Sequence, residues 1–292
     1  LIFGVLAEAS EVYFHQPKKN RRHDVSGLEN LNDVIIINQQ SIGRSERSNA
    51  ATYTDLFSYI RDLFASLPET KANSLSAKDF SYNVAGGRCE KCQGTGKLYV
   101  SMHFLPDVEV VCPVCRSKRY RKPVLDIKYR GCNISDILEL SIDEAVELFE
   151  GKRDIISKLK ILQDVGLGYL GLGQSTATLS GGEAQRLKLA KELSGSSGEK
   201  VMYLFDEPTT GLHPHDAGRL INIFDRLVRL GNSVVVIEHN AEMILESDWV
   251  IDLGPEGGNE GGDIIAQGTP EEIMMNPRSY TGKVLSGLYT KC

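Results

Sequence analysis

Val201-Met202-Tyr203-Leu204-Phe205-Asp206-Glu207 is an apolar run closed by two adjacent carboxylates. A run that is apolar on both faces suits a central strand of a parallel sheet, where helices cover it above and below. The pattern around it agrees. From Gly182 onward the periodicity predicts helix 182–194, strand 201–205, helix 214–230, strand 233–237, helix 240–246 and strand 249–253. Strands alternating with amphipathic helices predict an α/β fold, a parallel sheet flanked by helices. Ligands of such sheets bind beyond the C-terminal strand ends. Asp206 and Glu207 stand at one such end, and Glu238-His239 follows the neighbouring strand.

That placement suggests nucleotide chemistry. Adjacent carboxylates point in different directions and can divide their roles. Asp206 is assigned to Mg²⁺, which keeps several of its waters. Glu207 is assigned to polarising the attacking water, and His239 to the γ-phosphate. Upstream, Leu179-Ser180-Gly181-Gly182-Glu183 is a glycine-rich turn that opens a helix. Backbone N–H groups at a helix N-terminus attract anions, and the glycines let a phosphate approach. Ser180 can cap the helix or bond the phosphate. Taken singly, each element is ordinary: a solvated acid pair, a capped helix, a structural histidine. In this order and at these spacings they read as the signature and Walker B elements of an ABC-type ATPase.

A P-loop, Gly-x-x-x-x-Gly-Lys-Ser/Thr, does not occur. Gly96-Lys97, Gly151-Lys152 and Gly282-Lys283 all lack the upstream glycine and the following hydroxyl residue. Leu1 to Leu6 reads as a helix already under way. The expectation is a P-loop just before Leu1 in a longer parent chain, and no ATPase activity from this chain alone.

The 292 residues are 41% hydrophobic and 25% charged, with a net charge of −6, ordinary for a globular protein with a substantial core. An acidic balance excludes general attraction to nucleic acid or anionic membrane, so any DNA contact needs a local basic patch. No segment is long and apolar enough for a membrane span, and the start does not read as a signal peptide. A cytoplasmic location is expected. In that setting Cys89-x-x-Cys92 and Cys112-x-x-Cys115, with 19 residues between the pairs, favour zinc over disulfides. Four thiolates make a closed tetrahedral site of structural character. Gly94 and Gly96 suit tight knuckles. The excursion between the pairs reads as a hairpin of Lys97–Val100 and Val108–Val111. Cys132 and Cys292 are taken as plain residues.

Arg116, Lys118, Arg119, Arg121, Lys122, Lys128 and Arg130 follow the second pair, with Tyr120 and Tyr129 interleaved and only Asp126 opposing them. The bland reading is a solvated charged surface. The functional one is phosphate contact, with Arg116, Lys118, Arg119, Arg121 and Lys122 as candidate DNA-binding residues. Lys18 to Arg22 reads as a solvated loop. Arg44 and Arg47 fit either nucleotide or DNA. Elsewhere, a strand is expected over 33–38, a helix over 55–67 stopped by Pro68, a polar turn-rich segment over 69–85, and a strand over 124–129. Ser135 and Ser141 are expected to cap helices 136–140 and 142–149, and a further helix is expected over 154–165.

Longer strings carry a closer likeness. Ile42 to Asn49, Gly87 to Gly94, Met102-His103-Phe104-Leu105-Pro106-Asp107, Leu172 to Ser175, Thr178 to Arg186, Asp206 to His213, Ile237 to Asn240 and Asp252 to Gly258 resemble the C-terminal nucleotide-binding half of the UvrA family. These are ABC-type DNA-damage sensors of bacterial nucleotide excision repair. The resemblance covers nearly the whole chain. It implies ATP, Mg²⁺ and Zn²⁺ as cofactors and damaged double-stranded DNA as ligand. It also implies an N-terminal ABC half in the same polypeptide, a homodimer and a UvrB-like repair subunit as partners. Gln39 matches the Q-loop glutamine that contacts Mg²⁺ and water. Ser180, Gly181 and Gly182 match the signature, which completes the nucleotide site of the other half. Asp206, Glu207 and His239 match the Walker B, base and switch positions. Ser41 and Ala50 stand where the family usually has proline, and Ser117 where glycine commonly follows the fourth cysteine.

The organisation expected from these motifs is an ABC lobe with the Q-loop over 1–85 and a zinc module over 86–122. A helical signature subdomain over 123–178 and a second ABC lobe over 179–292 follow. UvrA-like paralogues of antibiotic self-protection share the motifs and form the alternative. A transporter ATPase fits less well, because the cysteine insertion occupies the region where such domains dock a membrane partner. A non-catalytic zinc module would not keep Asp206, Glu207 and His239.

Overall fold

Val201–Asp206 forms a strand that pairs in parallel on both sides, with Asp33–Ile37 and with Ser233–Ile237. The computed structural model describes residues 2–15, 25–40, 42, 47–102, 105–195, 200–212, 214–255 and 262–289. In chain order, a π-helical turn Ile2–Leu6 leads into α1 (Ala7–Phe14), then β1 (Asp33–Ile37), α2 (Ala50–Tyr53), α3 (Leu56–Ser66) and α4 (Pro68–Ala72). The hairpin β2 (Lys97–Met102) and β3 (Leu105–Val111) precedes α5 (Lys122–Leu125), α6 (Ile134–Glu139), α7 (Ile142–Leu148), α8 (Arg153–Asp164) and α9 (Gly181–Ser194). The chain ends in β4 (Val201–Asp206), α10 (Pro214–Arg229), β5 (Ser233–Ile237), α11 (Ala241–Leu245), β6 (Val250–Gly254), β7 (Asp263–Gly268), α12 (Pro270–Met275) and α13 (Tyr280–Tyr289). Two compact units result: residues 1–38 with 198–292, and residues 39–197.

In the first unit the sheet order is β1-β4-β5. Side chains of β4 alternate between its faces. Met202 and Leu204 join Val34, Leu28 and Ala7 in one core layer, with Phe3, Tyr13 and Phe14 against it. On the other face Phe205 meets Phe224 of α10 with ring centroids 4.6 Å apart. Buried Asn232 ties this layer together: its Oδ1 accepts from the Val201 N–H at 3.0 Å and its Nδ2 donates to the Leu227 carbonyl at 3.1 Å. The strand expected over 249–253 is β6, and it has an antiparallel partner, β7, that the sequence reading missed.

In the second unit, apolar spacing on α3 buries Leu56, Ile60 and Phe64, and α8 buries Ile155, Leu159 and Leu162. Pro68 ends α3 but also starts α4, because its missing N–H is harmless in a first turn. Residues 124–129 are not a strand. Pro123 sits in the first turn of α5, and Val124 and Ile127 are buried on one side of the turn that follows. Ser135 is not the cap of α6. Asn133 Oδ1 accepts from the Ser135 and Asp136 N–H groups, and the Asp136 carboxylate accepts from the Asn133 N–H. That reciprocal box outcompetes a lone serine. Ser141 does cap α7, paired with Glu144.

Candidate functional site

The first cluster sits where β4 and β5 end. The Glu207 N–H donates to the Ile237 carbonyl at 2.9 Å, the last bond between these strands. Glu207 takes a left-handed φ of 44°, and the Thr210 N–H closes a turn on its carbonyl at 3.0 Å. A second turn follows, Leu212 N–H to Thr209 carbonyl at 3.0 Å, with Gly211 at φ 74° supplying the positive angle. His239 lies on the turn after β5, with Nε2 3.5 Å from Glu207 Oε1. Asp206 is in register with Ile237 at the end of β4. The structure thus brings Glu207 and His239 together at one strand-end edge, with Asp206 beside them in sequence.

The second cluster lies in the other unit, at the N-terminus of α9. Ser180 Oγ donates to Glu183 Oε2 at 2.8 Å and accepts from the Glu183 N–H at 3.3 Å. Of its two readings as cap or phosphate ligand, Ser180 here takes the cap. The Tyr169 hydroxyl donates to Glu183 Oε1 at 2.8 Å. Burial opposes ionisation of Glu183, yet bonds from Ser180 and Tyr169 outweigh it and hold the carboxyl below its ordinary value. Gly181 faces Gln39: a Cβ there would stand 3.3 Å from Gln39 Cβ and Oε1. Lys188 of α9 donates to the Gln40 carbonyl at 2.8 Å and fixes the segment that carries Gln39.

Cys89, Cys92, Cys112 and Cys115 form the third cluster, all buried, with sulfurs within 4.8 Å of one another. Cys89 and Cys112 Sγ are 3.9 Å apart, and Cys92 and Cys115 Sγ 3.6 Å. A zinc ion with bonds of about 2.3 Å to a thiolate tetrahedron needs sulfurs about 3.8 Å apart. The cluster therefore fits the metal. The knuckles fit as well: the Gly96 N–H points at Cys92 Sγ at 3.3 Å, and Gly94 and Gly96 have φ 86° and 83°. Burial pushes the Cys89 and Cys115 thiols up. At Cys112 burial also opposes ionisation, but the N–H groups of Cys115 and Val114 outweigh it and draw the thiol down to about 7.

The four-cysteine module is anchored by rings. Phe57 packs tilted on Tyr82 and Tyr82 edge-on against Tyr120, with ring centroids 5.6 and 6.3 Å apart, and the buried Tyr120 hydroxyl donates to the Phe80 carbonyl at 2.9 Å. Tyr120 is thus core, not an aromatic interleaved on a basic surface. Arg116, Lys118, Arg121 and Lys122 are exposed, while Arg119 is half-buried over the Tyr82 ring at 5.2 Å. Asp126 pairs with Lys122 at 3.1 Å, and Asp136 also opposes the patch, 3.8 Å from Lys118. Lys18 to Arg22, Arg44, His103, His213 and Cys292 lie outside the described residues.

Three residues escaped the sequence reading. Glu183 had a signal, the Ser-x-x-Glu spacing of a capping box. Glu238 was visible only as the neighbour of His239. Tyr169 had none.

No family model matches the chain. Among curated proteins it is 54% identical to UvrABC system protein A of Aquifex aeolicus, over 98% of this chain and 31% of that protein. It is 55% identical to UvrABC system protein A of Rhizobium meliloti, over 91% of this chain and 27% of that protein. Among solved structures, UvrA2 from Deinococcus radiodurans superimposes with a TM-score of 0.85 at 45% identity, over 97% of this chain and 34% of that one. Along nearly its whole length the chain is a homologue of UvrA proteins, and it spans about a third of the length of the relatives it matches. Its α/β architecture, a parallel sheet flanked by helices, matches that of the UvrA2 structure, and this chain holds a cluster of four cysteines.

Proposed function

We propose that this chain is the C-terminal nucleotide-binding half of a UvrA-type ATPase that recognises damaged DNA in bacterial nucleotide excision repair. The observation that supports this most is the pairing of Glu207 with His239 at adjacent parallel strand ends, in a chain matching UvrA over 98% of its length. Bound ATP and Mg²⁺ would supply the reactive γ-phosphate and the charge that stabilises its transfer. Asp206 would hold the metal, and Gln39 would take the Q-loop role that the resemblance implies. Glu207 would orient the attacking water, and His239 would face the γ-phosphate. Ser180, Gly181 and Gly182 would present the N-terminus of α9 to the nucleotide of an N-terminal ABC half.

Cys89, Cys92, Cys112 and Cys115 would hold a structural zinc that fixes the β2–β3 hairpin. Arg116, Lys118, Arg121 and Lys122, with Arg119 at their base, would contact phosphates, and lesions would be read through DNA deformability. A homodimer in the cytoplasm working with a UvrB-like subunit completes the reading. The chain by itself would not turn over ATP, since its sequence holds no P-loop.

The test is the affinity of the full-length protein for lesion-bearing and undamaged duplex, with and without ATP, at fixed salt. A lesion preference that changes with nucleotide is expected. Equal weak binding to both would overturn the damage-sensing role in favour of a self-protection paralogue.

A further inference from the structure

We propose that Glu238 is a positioning residue that clamps the turn after Glu207 to the turn carrying His239, and so sets the contact between those two side chains. The proposal rests on the nucleotide-site reading above.

The backbone ladder between β4 and β5 ends at the Glu207 N–H. Past that point the two turns leave the sheet, and their amides need other acceptors. The Glu238 carboxylate supplies them. Its Oε1 accepts from the Thr209 N–H at 2.8 Å and the Thr209 hydroxyl at 2.6 Å. Its Oε2 accepts from the His239 N–H at 2.9 Å and the Asn240 N–H at 3.1 Å. Four donors use the whole capacity of one carboxylate, and bonds of this kind are stronger than neutral ones.

The bonds to His239 and Asn240 alone would be a local cap. The bonds to Thr209 are not local. They reach a residue 29 positions away, two places after Glu207. Glu207 is held in a left-handed conformation that only its surroundings can impose on a non-glycine residue. Pinning Thr209 fixes the far side of the turn that Glu207 begins. Pinning the His239 amide fixes the other partner. One side chain therefore spans both halves of the Glu207–His239 pair without itself facing a nucleotide.

The experiment uses the full-length protein. Glu238→Gln leaves one acceptor oxygen and so releases one turn. Thr209→Val removes the hydroxyl, and Thr209→Ser keeps it. Glu238→Gln is expected to lower kcat for ATP about tenfold with KM for ATP unchanged. Thr209→Ser should behave as wild type and Thr209→Val should not. On a Glu207→Gln background Glu238→Gln should cost nothing more, because residues that act as a unit are not additive. If Glu238→Gln does not fold, Thr209→Val carries the test, since it leaves the bonds to His239 and Asn240 in place. Amide hydrogen exchange reads the clamp directly: in Glu238→Gln, protection should fall at Thr209 or at Asn240, whichever turn meets the amide nitrogen. Unchanged protection, or unchanged kcat where Glu207→Gln abolishes turnover, overturns the clamp alone. Wild-type turnover in Glu207→Gln overturns the site reading and the clamp with it.

Discussion

His239 Nε2 stands 3.5 Å from Glu207 Oε1, although the two belong to different strand-end turns. The pairing is a product of sheet order: β5 lies directly beside β4, in parallel, so both C-terminal ends open on one edge. In the full-length protein, Glu207→Gln is expected to lower kcat by about 10²–10⁴-fold while ATP binding persists. Phosphate release and equilibrium nucleotide binding measure the two separately. Full turnover in that variant would remove Glu207 from the chemistry.

The four-cysteine cluster makes a prediction about stoichiometry. Cys112→Ser removes one of four sulfurs whose spacing matches a thiolate tetrahedron. Bound zinc, read by elemental analysis after dialysis, should drop from one equivalent to near none. Amide protection in β2 and β3 should fall with it, because metal binding and local folding are coupled. A full equivalent of zinc in the variant would refute the four-ligand assignment.

Glu183 gives the pH dependence. Its folded pKa is depressed, so its contribution to stability is present above the ordinary carboxylate range and is lost as pH falls through the folded value. Glu183→Gln should therefore flatten the acid limb of stability against pH. Near neutrality it should cost about 1 kcal/mol, the worth of a helix cap. Urea titrations at a series of pH values measure both. An unchanged acid limb would show that the cap does not carry this linkage.

Ser117 occupies a left-handed position, φ 68°, in the knuckle after the second cysteine pair, where its carbonyl lies 3.0 Å from the place a Cβ on Gly96 would take. A non-glycine residue is strained there. Ser117→Gly is expected to change stability by roughly 0.5–1 kcal/mol in the favourable direction, the relief exceeding the added flexibility of the unfolded chain. Thermal melts of the zinc-loaded protein test the sign, and a lower Tm would refute it.

The basic surface should act without regard to sequence. Arg121→Ala is expected to weaken binding evenly across duplexes and to reduce the salt slope by about 1. Lys122→Ala should cost less, because Asp126 already engages that ammonium at 3.1 Å. Binding measured over a salt series distinguishes the two. Equal slopes for Arg121→Ala and wild type would take Arg121 out of the interface.

Local chemistry was legible in the sequence wherever pattern and structure share a period. The apolar run 201–205, the alternating helices and strands and the two Cys-x-x-Cys pairs state their own geometry. Helix and strand periodicity is set by the residue's own backbone, and a cysteine knuckle closes over a few residues. The misreadings fell where a neighbour decided the outcome. Val124 and Ile127 look like strand residues, but Pro123 starts a helical turn and their burial keeps it. Ser135 looks like a cap, but Asn133 has Asp136 to answer it. Tyr120 looks like a surface aromatic, but the Phe80 carbonyl and the Tyr82 ring hold it inside.

The sequence by itself determined that the chain has an α/β core, a four-cysteine cluster and a strand-end pair of carboxylates, because each depends on residue types at short spacing. Tertiary structure alone decided that His239 meets Glu207, that Glu238 joins Thr209 to Asn240, and that Gln39 lies against Gly181. These contacts link residues far apart in the chain. Strand order and helix packing bring them within contact range, and no local period encodes either.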